Sequence, residues 1–168
     1  MAIDPLHEIR SFLVPVDGSE AAQRALAIAC DVARHNGATV SALHVIEVPR
    51  VLPLEADLAA EVERGEQILT RAEQVAREHN VKLVSSMLQA RDAGQALVDE
   101  AIELHTDAIV VGLNYHHRPY GRFLVGRLPE YALANAPCEV WLIRYAPEES
   151  GEDGAAATAG AVEGEGSR

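Results

Sequence analysis

Within twelve residues the chain places His116, His117, Arg118, Arg122 and Arg127, its densest concentration of positive groups. The setting is otherwise acidic: 14 Lys and Arg stand against 26 Asp and Glu, for a net charge of −12. Guanidinium forks donate paired N–H groups to phosphate oxygens. A helix starting at Pro129 would also direct its N-terminus, a favourable place for an anion, toward this segment. These residues point to an anion site, phosphate-bearing in the first instance, built by Arg122 and Arg127 with His117 as a further candidate. The competing reading makes them solvated loop residues paired with surface carboxylates.

Other chemistries find less support. No Walker loop, G-x-S-x-G elbow or H-E-x-x-H motif occurs, and Lys82, the only lysine, follows Val81 rather than a glycine. The seven histidines are scattered apart from His116-His117, whose adjacent side chains do not converge easily on one ion, so no metal is expected. Cys30 and Cys138 are too few for a disulfide framework and read as packing residues. No catalytic residue is assigned. Phosphoryl transfer needs positioned metal ligands, and Asp17 alone offers itself; a slow ATP hydrolase or autokinase is the enzymatic alternative. Nonspecific nucleic-acid binding and attraction to an acidic membrane both run on clustered cations, which this charge balance disfavours. No window approaches the ~18 apolar residues of a membrane span, and residues 1–10 show no apolar signal segment. A cytoplasmic protein with reduced thiols is expected.

The elements that must position these groups follow from periodicity. Apolar residues make up 48% of the chain and aromatics only 4%, so the core is aliphatic. The run 11–16 is aliphatic and ends at Asp17-Gly18, a buried strand and a turn. Ser19 is a natural N-cap, Ala22, Leu26, Ala29 and Ala33 recur at helical spacing, and Gly37 is a stop. Further strands are expected at 39–46, 81–88, 107–111 and 139–144. A long helix is expected over 54–79, interrupted by Gly65. Asp92 with Gln95 opens another as a capping box, and Pro129 starts a short one over 129–135. Strands such as Ala108-Ile109-Val110-Val111 are apolar on both faces. The expected class is α/β: a doubly wound five-stranded parallel sheet with helices on both faces. Ligands in such sheets sit beyond the carboxyl ends of the strands, where the strand order reverses. That singles out Asp17-Gly18-Ser19 and the segment after Gly112. The domain is expected to span residues 1–146. Residues 147–168 carry 5 of the 12 glycines and six acids against Arg168. They cannot bury enough surface to offset chain ordering, so an acidic, Gly/Ala-rich disordered tail is expected.

Four segments stand in a telling order: Phe-Leu-Val-Pro-Val-Asp-Gly-Ser-Glu (12–20), Leu-His-Val (43–45), Asp-Ala-Ile-Val-Val-Gly (107–112) and Ala-Asn-Ala-Pro-Cys-Glu-Val-Trp-Leu-Ile (134–143). Together they resemble the universal stress protein family over about residues 9–146. The resemblance implies a homodimer through the last strand. As in many members, it also implies a site for ATP, AMP or another adenine nucleotide. It puts Pro15, Val16, Asp17 and Val45 near adenine and ribose, with the Asp17 carboxylate accepting ribose hydroxyls. On residue type alone Asp17 is a turn-former or helix cap, and on periodicity alone Val45 is core.

The family's nucleotide loop reads Gly, two residues, Gly, nine residues, Gly, then Ser or Thr. Its first glycine corresponds to Gly112 and its last to Gly126, one residue late. Tyr115 stands at the second glycine and Arg127 at the hydroxyl. Asn114 either hydrogen-bonds a ligand or stabilises the loop. A side chain at 115 obstructs backbone approach to an anion, so the arginines are read as replacing an amide cradle with a guanidinium clamp. The implied function is a stress-response regulatory module that binds a phosphorylated ligand and signals through a partner. The alternatives are a ligand-free dimeric scaffold or a detached regulator of a membrane transporter. The latter follows from the resemblance of residues 137–144 to stress-protein domains attached to transporters.

Overall fold

The computed structural model describes residues 4–114 and 125–145. A four-residue helix α1 (Pro5–Glu8), not anticipated from the sequence, precedes β1 (Ser11–Pro15). There follow α2 (Glu20–Asn36), β2 (Thr39–Glu47), α3 (Ala59–Glu78), β3 (Leu83–Ala90), α4 (Ala93–Glu103), β4 (Ala108–Gly112), α5 (Arg127–Asn135) and β5 (Glu139–Ile143). All four strand pairings are parallel, in the order β3-β2-β1-β4-β5. The chain winds outward from β1 to β3, then crosses to the other side for β4 and β5. This is the doubly wound five-stranded sheet expected from the sequence, and its order reverses between β1 and β4.

Successive residues of β1 serve opposite faces. Phe12 and Val14 join Leu26, Ala29 and Val110 on one side, where α2 and α3 pack. Leu13 joins Leu43, Leu97 and Ile109 on the other, under α4 and α5. Burial on both faces explains why these strands show no polar alternation. Trp141, expected in the core or at a dimer seam, is half-buried and meets Phe12 edge-on with ring centroids 5.3 Å apart.

The caps that shape α2 form as their residue types dictate. Ser19 Oγ accepts from the Ala22 amide at 3.2 Å, and Gly37 closes the helix at φ 70°. Other boundaries differ from expectation. The helix expected from 54 begins at Ala59, and residues 49–58 form an irregular strap. The Arg91 guanidinium holds that strap by donating to the carbonyls of Val48 and Leu52, while Gln89 Nε2 donates to Ala56 O at 3.0 Å. These long-range bonds outweigh the local helical spacing. β3 starts at Leu83, two residues late, because the Val81 amide still donates to Ala76 O in closing α3, with Asn80 at φ 56°. β4 starts after Asp107, whose carboxylate accepts from the amides of Arg10 and Ser11 at 2.8 and 3.0 Å. α5 starts at Arg127 behind Gly126, so Pro129 occupies its third position rather than its first.

Cys30 lies fully buried in α2, and burial pushes its thiol up from the ordinary 9.0 to about 11. Burial also raises Cys138. The thiolate is the reactive form. At pH 8, iodoacetamide should therefore alkylate Cys30 about a hundredfold more slowly in the native than in the urea-unfolded chain. Mass spectrometry of the labelled protein reads this directly, and equal native and unfolded rates would refute it. The same shift means that Cys30 favours the native state below the unfolded thiol's pKa. That contribution is lost as pH rises from there toward 11.

Candidate functional site

The register Pro15↔Leu43 ends the pairing of β1 with β2, and β4 ends beside them at Gly112. The carboxyl ends of these three strands open into one hollow of about 290 Å³, beside the reversal of strand order. Pro15, Val16 and Asp17 reach it from β1, and Val45 from β2. Gly112 and Asn114 reach it from β4, and Gly126 and Arg127 from the start of α5. The structure thus brings together eight of the residues singled out from the sequence. Arg122 lies outside the described residues, as do Tyr115, His116, His117, Arg118 and the tail 147–168. Leu43, Val111, Leu113 and Leu128 give the hollow apolar walls between these polar groups, the usual constitution of a small-molecule site.

Each polar group has a local origin. Asp17 Oδ1 accepts from the Ser19 amide at 2.9 Å, which is the turn-forming role its residue type suggests. Asp17 Oδ2 takes no hydrogen bond among the described residues and remains an acceptor on a residue that lines the hollow. In the sequence His44 stands out only as the middle of Leu-His-Val. In the structure its Nδ1 donates to Val16 O at 2.7 Å, fixing the proton on that nitrogen and tying β2 to the chain just past β1. The imidazole fits because Gly65 of α3 packs against it and Met87.

The two glycines of the family pattern differ in their surroundings. A Cβ at Gly112 would land on the carbonyl of Ala21, in the first turn of α2. At Gly126 it would meet, among the described residues, only Pro129 Cδ, at 3.7 Å, and the backbone there (φ −71°, ψ 174°) suits any residue. Gly112 is therefore required by helix packing whether or not a ligand is present.

Arg127 does not extend freely toward the hollow. Its Nη2 lies 3.0 Å from Asp92 Oδ2, with the arginine side chain 89% exposed and the aspartate 31%. Asp92 caps α4 by accepting from the Gln95 amide at 3.0 Å, and Glu47 accepts from the Ala93 amide at 2.9 Å. The sequence shows the cap but not the arginine 35 residues away; what could have marked Asp92 is its place just past the carboxyl end of β3. Among the described residues, no three His, Cys, Asp or Glu side chains are grouped to hold a metal ion. Nor is any described helix long and apolar enough to cross a membrane.

The family model of universal stress proteins matches residues 8–144. A universal stress protein of Thermus aquaticus is 33% identical over 139 residues, covering 80% of this chain and 98% of that one. One from Methanocaldococcus jannaschii is 27% identical over 146 residues, covering 83% and 85%. Among solved structures, the Archaeoglobus fulgidus universal stress protein in complex with dAMP superposes with a TM-score of 0.65 at 21% identity, covering 80% of this chain and 98% of that one. A universal stress protein in complex with cAMP gives a TM-score of 0.66 at 22% identity, covering 81% and 97%. On the sequence match across residues 8–144 and the shared architecture, the chain belongs to the universal stress protein family.

Proposed function

We propose that the hollow binds an adenine nucleotide, and that the domain is a stress-response regulatory module whose affinity for a partner depends on that ligand. The base and ribose lie against Pro15, Val16 and Val45, with the free oxygen of Asp17 accepting from a ribose hydroxyl. The phosphate lies toward Asn114, Gly126 and Arg127. The observation that carries this reading is the convergence of these residues on one apolar-walled hollow beside the strand-order reversal. The dAMP and cAMP complexes of proteins with this fold support it. Binding requires no catalytic group.

A dimer belongs to the same proposal. Among the described residues β5 pairs only with β4, and Val140 to Ile143 are half-buried along that sheet edge. An unpaired strand edge is a template for a second copy.

Titration calorimetry with adenosine, AMP, cAMP and ATP tests the ligand, together with mass analysis of any small molecule released from natively purified protein. Adenosine and AMP are expected to bind with one site per chain, and guanosine not to bind. If none of the four adenine compounds binds at millimolar concentration, the reading is overturned and the scaffold alternative stands.

A further inference from the structure

We infer that Asp92 is an intramolecular competitor for the ligand's phosphate: it occupies the Arg127 guanidinium in the empty state and sets how strongly that arginine favours an anionic ligand. The inference rests on the nucleotide reading and deepens it.

The ion pair joins a fixed partner to a free one. Asp92 is held on three sides. Its Oδ1 accepts from the Gln95 amide, the preceding Arg91 is anchored on the strap carbonyls, and the following Ala93 amide is anchored on Glu47. Arg127 is exposed over most of its length, and among the described residues its ion-pair partner is Asp92, at 3.0 Å. The pair therefore opens by movement of the arginine. Arg127 and Ala93 both line the hollow, so the arginine's alternative partner is an anion within it.

An exposed ion pair in water is weak, whereas a phosphate takes both N–H groups of a guanidinium fork. Exchange from carboxylate to phosphate is therefore downhill, but by less than if Arg127 were unpaired. When the arginine leaves, Asp92 stays at the N-terminus of α4, where a carboxylate is favoured. A neutral nucleoside has nothing to offer the arginine and leaves the pair closed.

The test is a double-mutant cycle read by calorimetry at low salt. Asp92→Asn removes the charge and keeps a good N-cap. It should tighten AMP by about 1.5-fold to fivefold, the range of an exposed pair, and leave adenosine unchanged. Arg127→Ala should weaken AMP and spare adenosine, and adding Asp92→Asn to it should then change nothing. The gain should shrink at high salt, which screens exposed charges. If AMP binds but Asp92→Asn leaves it unchanged or weaker, the competitor role is overturned and the nucleotide reading survives. The competitor role falls equally if the gain persists without Arg127, because Asp92 then acts only as a nearby negative charge. If neither adenosine nor AMP binds to the wild type or to Asp92→Asn, the nucleotide reading falls and takes this inference with it.

Discussion

Gly112→Ala should destabilise the domain by about 3 kcal/mol, at the upper end of what overpacking a core costs. The added methyl would overlap the Ala21 carbonyl and crowd the Ala22 amide. Both belong to the backbone of α2's first turn, where Ala21 and Ala22 are buried at 1% and 5% exposure. A side chain could turn away; a helix backbone cannot, so α2 would have to lift from β4 or β4 to withdraw from the sheet. In a chain of this size about 3 kcal/mol corresponds to a fall in Tm of roughly 6–12 °C. Gly126→Ala is the control. Its Cβ would make an ordinary contact with Pro129, and its backbone suits alanine, so stability should stay within about 0.5 kcal/mol of wild type or rise slightly. Thermal and urea unfolding followed by circular dichroism compare the two. Equal stabilities would mean that Gly112 is present for a ligand rather than for packing.

That contrast also shows what the sequence could reveal. The family pattern marks Gly112 and Gly126 alike, because a motif records residue type and spacing but not what a Cβ would strike. The strands were legible because β1 and β4 are buried on both faces and read as unbroken aliphatic runs. α2 was legible because Ser19 and Gly37 are local signals acting within one turn of the helix. The strap at 49–58 was not legible. Leu54 and Leu58 continue the helical spacing of α3, and what breaks it is a guanidinium at Arg91 bonding to carbonyls some forty residues away. The hollow was largely legible, since in a doubly wound sheet the residues just past the first, second and fourth strands must converge. The register Pro15↔Leu43 puts Val45 level with Asp17. The pairing of Arg127 with Asp92 was not legible, because it links the N-terminal ends of two helices far apart in sequence, α4 and α5, which meet by packing.

Val45→Trp should abolish nucleotide binding while leaving the fold intact. Val45 stands near the carboxyl end of β2, two residues beyond the last pairing with β1, and lines the hollow that Arg127 and Leu128 of α5 also line. It is half-buried and packs only at the margin of the core under α4 and α5. A larger side chain there has about 290 Å³ of open space to enter. Overpacking destabilises where a site is already filled, so here the change in stability should stay within about 1 kcal/mol. The indole would occupy the place assigned to the base, and AMP, cAMP and adenosine should each lose at least about a hundredfold in affinity, equivalent to ~2.7 kcal/mol. Loss of all three distinguishes occlusion from Arg127→Ala, which should weaken only the ligands that carry phosphate. Calorimetry measures the affinities, and unfolding curves verify the fold. If Val45→Trp folds normally and still binds AMP as wild type does, the nucleotide sits elsewhere. The place to look would then be the second depression that Asp17 lines, with Ser19 and Gln23 and with Arg64 and Arg71 of α3.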